Sequence, residues 1–180
     1  MIIDRAEGGS LEAKPRFILQ VEQADIEFQP RFGFRVGVQN HQSKTVRPDA
    51  RIATDDTFVV VEAKRAREGR FKHEQLAREY VTTVREAHQR HPLLVLLVDE
   101  GPEVKVENTL GKTNIIQDIR DKLPAVLKKV ESPADLDELL RIVDDVVAWT
   151  TWDVVAEVLR EQLNTFDQCS PMYGTVKRLV

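Results

Sequence analysis

The sequence predicts an α/β fold in which helices flank a mixed sheet. Two apolar runs, residues 58–61 and 93–98, have the composition of strands that are buried on both faces. Between them, residues 71–89 carry apolar side chains at helical spacing, as expected of a crossover helix between two strands. The chain has 180 residues, 42% of them hydrophobic and 31% charged, which is typical of a globular domain with its own core.

The N-terminal part is predicted to contain a loose lead-in, a helix and a strand. Residues 1–14 include Gly8-Gly9-Ser10 and form the lead-in. A helix is predicted from Pro15 to about Glu27, because its apolar residues form one stripe. A strand is the alternative there, since apolar residues also alternate near its start. Residues 32–38 alternate with period two and predict a first strand, followed by a polar loop over 39–46.

A hairpin is predicted at the centre of the chain. Residues 51–53 have the pattern of a strand, and residues 54–57 have the composition of a tight turn that leads into residues 58–61. Pairing around this turn places Thr54 opposite Thr57.

The same pairing places Asp49 opposite Glu62, and opposed residues have Cβ atoms roughly 4.5–5.5 Å apart on one face. Lys64 lies two residues past Glu62, so the pleat turns it to that face too. Two carboxylates that close repel each other unless a proton or a cation lies between them. A divalent metal site is therefore predicted at the open end of the hairpin.

These residues carry a resemblance to a known family. Pro48-Asp49, followed by Glu62-Ala63-Lys64 at the end of an apolar strand, resembles the signature of the PD-(D/E)XK (restriction-endonuclease-like) nuclease superfamily. The run VVVEAKR and the following helix with Gln75 and Tyr80 are most similar to the N-terminal nuclease domain of type I restriction enzyme R subunits, and also resemble archaeal Holliday-junction resolvases. The resemblance covers roughly residues 15–98.

The acid-x-lysine pattern alone is weak, since it also occurs at Glu12-Ala13-Lys14 and Glu103-Val104-Lys105. Only the middle copy ends a buried type of strand and has a Pro-Asp upstream. The alternative is a sheet edge that charged residues protect from pairing.

The resemblance implies a restriction-endonuclease-like core with the element order αβββαβ, which we place over residues 15–112. The helical patterns that follow predict a helical C-terminal extension over 113–180. It implies a metal-dependent endonuclease that hydrolyses phosphodiester bonds of DNA in restriction, defence or repair. Asp49, Glu62 and the backbone carbonyl of Ala63 would bind Mg²⁺ or Mn²⁺. Lys64 would orient the attacking water and stabilise the charge that develops on the phosphate.

Further site residues are carried over from the same family. An extra acid often lies on the family's first helix, for which Glu22 is the candidate, with Glu12 as an alternative and an ordinary solvated glutamate as another. Gln75 is a candidate supporting residue, and it lies one helical turn from Glu79. Relatives often have Gln and Tyr four residues apart; here the spacing is five, so Tyr80 is predicted to be a core residue.

The net charge of −4 means that any contact with DNA must come from a local basic patch. The connection after Lys64 provides one candidate for contacts with phosphates, although a solvated loop is the alternative. Its basic residues are Arg65, Arg67, Arg70 and Lys72.

Residues from Thr113 onward have helical patterns. Pro124 is predicted to break one helix and Ser132-Pro133 to start the next, while Thr151 is predicted to cap a last helix that ends near Leu163. Trp149 and Trp152 are predicted core residues, or alternatively residues buried against a partner.

A single cysteine, Cys169, and the lack of a long apolar run predict a cytoplasmic protein with no membrane segment. The histidines show no spacing typical of a zinc site, and no nucleotide-binding loop is present in the sequence. Two other hypotheses remain open. The chain could be an inactive nuclease-fold module for DNA binding or assembly with a helicase or methylase, and its C-terminal helices could form a homodimer or partner-subunit surface.

Overall fold

The fold is known from a computed structural model, which describes residues 2–10, 12–34, 44–64, 70–99, 101–108, 110–129 and 135–163. In this part of the chain a mixed sheet is flanked by helices, so the predicted α/β class is confirmed. No helix in it is long and apolar enough to cross a membrane.

The strands are β1 (Glu7–Gly8), β2 (Asp25–Phe28), β3 (Phe32–Phe34), β4 (Lys44–Val46), β5 (Ala50–Ala53), β6 (Thr57–Ala63), β7 (His91–Val98), β8 (Glu103–Lys105), β9 (Lys112–Asn114) and β10 (Val147–Thr151). The helices are α1 (Ala13–Gln20), α2 (Gln75–Ala87), α3 (Ile115–Lys129), α4 (Leu136–Val146) and α5 (Trp152–Leu163).

Six of the strands form the central sheet, in the order β1-β10-β7-β6-β5-β2. Strands β6, β7 and β10 run parallel to one another, whereas β5 and β2 continue the sheet in antiparallel pairing on one side and β1 does so on the other. The two middle strands are buried on both faces, as their apolar sequences require. The predicted strand at 93–98 is therefore confirmed, and the predicted crossover helix corresponds to α2.

The two faces of the sheet bury separate groups of apolar residues. On one face, Phe58 and Val60 of β6 pack with α2, α3 and α4 in the larger core. On the other face, Val59 packs with Phe17 of α1 and with residues before α1. Because side chains alternate along β6, Glu62 and Lys64 belong to the face that is covered by α2.

The predicted register of the central hairpin is confirmed. Ala50 pairs with Val61, and Ala53 pairs with Phe58. At the turn, the N–H of Thr54 donates to the carbonyl of Thr57 over 2.9 Å. The pairs end at Ala50, and Asp49, the residue before it, contacts the backbone of Val61 and of Ala63 on either side of Glu62.

The predictions for the N-terminal part are partly wrong. The predicted helix ends at Gln20, and after a single 3₁₀ turn the chain becomes extended and forms β2 on the edge of the sheet. The lead-in is not loose, because Ile3 and Ala6 are buried and β1 pairs with β10. Gly8 has a φ of +68°, and a Cβ there would lie 2.7 Å from the carbonyl of Val147, so this pairing requires glycine.

The predicted first strand is shorter than expected and lies outside the main sheet. Strand β3 pairs with β4 in a separate two-stranded sheet, so part of the predicted loop over 39–46 is a strand. Residues 35–38 of the predicted strand lie outside the described residues. Phe32 attaches this small sheet to the core through an edge-to-face contact with Phe58, with ring centroids 6.2 Å apart.

The C-terminal extension is not purely helical. Residues 147–151 form β10, which pairs in parallel with β7 inside the sheet, and Val147 and Ala148 are buried. The prediction that Pro124 breaks a helix is wrong: α3 continues through it, with the exposed Pro124 next to the buried Leu123. Ser132 and Pro133 lie outside the described residues.

Two predictions for this region are confirmed. The hydroxyl of Thr151 accepts the N–H of Val154 at 3.4 Å, as expected of a cap at the start of α5. Trp149 packs against the main core. Trp152 is half-buried, and its indole N–H donates to the carbonyl of Lys64 over 2.6 Å.

Tyr80 is fully buried, as predicted, and it connects α2 to α4. Its hydroxyl donates to the carbonyl of Leu139 over 2.6 Å. We predict that Tyr80→Phe lowers the free energy of unfolding by about 1 kcal/mol, because the ring packing is kept while a buried hydrogen bond is lost. Urea unfolding followed by circular dichroism measures this change. An unchanged stability would contradict the contact between α2 and α4.

Candidate active site

Strand β6 places Glu62, and Lys64 just after it, at the edge of the main core. Glu62 is only 5% exposed, since it lies on the face of β6 that α2 covers. The backbone beyond it is held on both sides: the N–H of Lys64 donates to the carbonyl of Leu97 over 2.9 Å, and the carbonyl of Lys64 accepts the indole N–H of Trp152. The backbone at the end of β6 is therefore held in one position, which restricts where the side chains of Glu62 and Lys64 can lie.

The lysine is directed back to the acid. The Nζ of Lys64 donates to Oε1 of Glu62 over 2.6 Å, and it lies 5.0 Å from the centroid of the Phe71 ring. Both contacts are attractive for an ammonium group and hold it in a partly buried position. The ion pair compensates part of the penalty of burying Glu62.

Gln75, at the start of α2, connects Glu62 to a second acid. Its amide nitrogen donates to Oε1 of Glu62 over 2.7 Å and to Oε1 of Glu79 over 2.8 Å. Its amide oxygen accepts the backbone N–H of Lys72 over 3.0 Å. Because both amide hydrogens and the oxygen have partners, the orientation of this side chain is determined.

Glu79 is a member of the site that sequence reasoning missed, although its position one turn after Gln75 is the available signal. It is 3% exposed, and its Oε2 has no hydrogen-bond partner among the described residues. Burial raises the pKa of the Glu79 carboxyl well above its usual range, and the charge of nearby Glu62 raises it further. Glu79 therefore favours the neutral carboxyl form.

Asp49 is held in place by the hairpin. Its N–H donates to the carbonyl of Val61 over 3.0 Å, and its Oδ2 accepts the N–H of Ala63 over 2.7 Å. The pKa of the Glu62 carboxyl is raised, first of all by burial. The hydrogen bond and the positive charge of Lys64 lower this pKa, and the negative charge of Asp49 raises it. The two carboxylates are therefore close enough to repel each other.

The donor set fits a hard divalent cation. Among the described residues, no group donates to Oε2 of Glu62 or to Oδ1 of Asp49, so each carboxylate keeps one oxygen for a ligand. No group of three or more His, Cys, Asp or Glu side chains in the described ranges is arranged to hold a metal ion. Two carboxylates and a backbone carbonyl suit Mg²⁺ nevertheless, since Mg²⁺ usually retains several waters.

Two of the predicted acids are not brought to this site. Glu22 follows α1, where the side chain of Gln20 donates to Asp56 over 2.8 Å at the turn of the hairpin. This turn is the opposite end of the hairpin from Glu62. Glu12 forms an ion pair with Arg16 at 2.6 Å, on the helix that covers the other face of the sheet.

The predicted basic patch is described only in part. Arg65 and Arg67 lie outside the described residues, whereas Arg70 and Lys72 are exposed. The backbone N–H of Lys72 donates to the side chain of Gln75, so the backbone of this lysine lies next to the site.

Asp49, Glu62, Lys64 and Gln75 are thus brought together at one end of the hairpin. Comparisons of the chain with models of protein families, with curated proteins and with solved structures found no match. Any functional inference for this chain therefore depends on the geometry of this group of side chains.

We predict that Gln75→Ala lowers the free energy of unfolding by roughly 1–3 kcal/mol, because it leaves the buried Oε1 of Glu79 without a donor and removes one of the two donors to Glu62. Gln117→Ala is the matched control, since Gln117 donates to Asp121 one turn along an exposed part of α3. The control should change stability by less than about 0.5 kcal/mol. Equal effects of the two substitutions in urea unfolding would contradict the role assigned to Gln75.

Proposed function

We propose that the protein is a metal-dependent nuclease of the PD-(D/E)XK type that hydrolyses phosphodiester bonds in DNA. The observation that carries the proposal is the group at the end of β6, where Lys64 pairs with the buried Glu62 while Asp49, just before strand β5, accepts the N–H of Ala63. An ion pair that only protected a sheet edge would be exposed and would not need a second carboxylate beside it.

The order of elements around the group supports the same proposal. When the separate sheet of β3 and β4, which lies between β2 and β5, is left out, helix α1, strands β2, β5 and β6, helix α2 and strand β7 have the order αβββαβ. The first three of these strands are antiparallel, and β7 is parallel to β6. A restriction-endonuclease-like core has this order, and the site lies at the end of its central strand.

The residues of the chain divide the chemistry between them. Asp49, Glu62 and the carbonyl of Ala63 would hold Mg²⁺ or Mn²⁺, and when bound the ion would activate water and neutralise charge on the phosphate. Lys64 has three donor hydrogens, so beyond its bond to Glu62 it can donate to the attacking water or to a phosphate oxygen. Gln75 keeps Glu62 in place while the charge of the site changes.

A second candidate is a non-catalytic module of the same fold, for DNA binding or for assembly with a helicase or methylase subunit or with a second copy. The specific observation in its favour is that Glu62 already has Lys64 and Gln75 as partners. Such a site is stable without a cation. A module of this kind would be indifferent to Mg²⁺.

The response to metal separates the two candidates. We predict that Mg²⁺ or Mn²⁺ raises the melting temperature, because the ion binds the folded state and relieves the repulsion between Asp49 and Glu62. Asp49→Asn should abolish this rise. Asp55→Asn, in the exposed turn at the other end of the hairpin, should keep it. A thermal shift that persists in Asp49→Asn would remove Asp49 from the metal site.

Cleavage tests the role of the lysine. We predict that Lys64→Ala keeps the thermal response to Mn²⁺ but reduces cleavage of DNA by roughly two to three orders of magnitude, the usual effect of losing one transition-state stabiliser. Lys64→Arg should not restore activity, because a planar guanidinium cannot take the position of a compact ammonium. Lys105→Ala, at the exposed lysine of the acid-x-lysine pattern in β8, is the control. Parental cleavage by Lys64→Ala would show that Lys64 is structural.

A further inference from the structure

A cavity of about 420 Å³ lies beside the site, on the other side of Gln75. It is formed between β4 and the first turns of α2, and its lining includes Arg47, Lys72, Arg78, Gln75 and Glu79. Gln75 is therefore shared: its amide contacts Glu62 and also forms part of the cavity wall. Whatever binds in the cavity lies next to the carboxylates.

The cavity is rich in positive charge. Arg47, Lys72 and Arg78 all line it, and none of the three forms an ion pair with another described residue. The guanidinium of Arg47 has a neutral partner, since it donates to the side-chain oxygen of Gln29 over 2.6 Å. Arg78 also lies near the acids Glu74 and Glu79, and Glu79 is part of the same lining. In a chain with a net charge of −4, three cations around one cavity that form no ion pair with a described residue indicate an anionic ligand.

The remaining wall is suited to an anion as well. Glu79 is buried in it, with one carboxyl oxygen that has no partner in the described part of the chain. A neutral carboxyl is a hydrogen-bond donor, so it does not repel a phosphate as a carboxylate would. Glu79 therefore does not oppose the binding of an anion in the cavity.

We propose that this cavity binds one unpaired, phosphate-bearing nucleotide of the strand that is cut. The inference rests on the proposed nuclease function. Its volume lies within the roughly 300–1,000 Å³ range of small-molecule sites, which is more than a phosphate group alone requires. A base in a duplex would have to leave its stack to enter, so a single-stranded or frayed substrate is favoured. Arg47, Lys72 and Arg78 hold the phosphate, and Gln75 joins this subsite to Glu62.

Binding of deoxyadenosine 5′-monophosphate, measured by calorimetry in the presence of EDTA, tests the subsite without cleavage. The parent should bind the nucleotide at least tenfold more tightly than inorganic phosphate. Arg78→Ala and Lys72→Ala should each weaken binding about tenfold or more, as expected for loss of a charged hydrogen bond. Arg141→Ala, on the exposed face of α4 where Arg141 pairs with Glu138, should bind as the parent does. No binding by the parent, or equal losses in Arg141→Ala, would overturn the proposal.

Competition identifies the source of the nucleotide. A short single-stranded oligonucleotide should displace the bound nucleotide at lower concentration than a blunt duplex of the same sequence, and this preference should be lost in Arg78→Ala. If the duplex competes as well as the single strand, the assignment to an unpaired nucleotide of DNA is wrong. If neither oligonucleotide displaces the bound nucleotide, the cavity binds only free nucleotides, and the assignment is wrong as well. Asp49→Asn should bind the nucleotide normally. Nucleotide binding by a parent that never cuts DNA would support the subsite and contradict the nuclease proposal.

Discussion

The burial of Glu62 is the constraint on which this end of the structure depends. A carboxylate at the end of a strand that is otherwise apolar on both faces is unfavourable unless it is paired and hydrogen-bonded. Lys64 supplies the pair and Gln75 the hydrogen bond, so the strand end and the start of α2 have to meet at one place. A buried ion pair contributes little to stability in itself. This is consistent with the metal-binding role proposed for Glu62.

The same arrangement extends into a chain of contacts from the hairpin to the cavity. Asp49 is fixed by the backbone of β6, Glu62 by Lys64 and Gln75, and Glu79 by Gln75 in turn. One amide side chain therefore separates a pair of carboxylates from a cavity lined by cations. A cation bound by Asp49 and Glu62 would reduce the repulsion between these carboxylates. An anion bound in the cavity would reduce the repulsion among its cations.

Local patterns predict the centre of this structure well, because the signals there are short-range. The turn at Thr54 and the period of two along β6 determine the register, and the register brings Asp49 to the end of β6 that carries Glu62. The edge strand β2 and the inserted strand β10 could not be predicted in the same way. Their residues also fit a helical spacing, and only pairing with distant strands makes them extended.

Long-range packing also explains the errors at the site. Glu22 follows a helix that packs on the face of the sheet away from Glu62, and the sequence of the helix does not specify which face it will cover. The sequence shows Glu79 only as a neighbour of Gln75, because its burial depends on tertiary packing that the local pattern does not specify.

The most direct test of the central claim is where a divalent cation binds. Mn²⁺ broadens the NMR signals of nearby amides, so a titration of the isotope-labelled protein locates the ion. The amides of Glu62, Ala63 and Gln75 should disappear first, while those of Asp55 and Asp56 at the turn of the hairpin should persist. Early loss at the turn, or no selective loss at the end of β6, would contradict a metal site formed by Asp49 and Glu62.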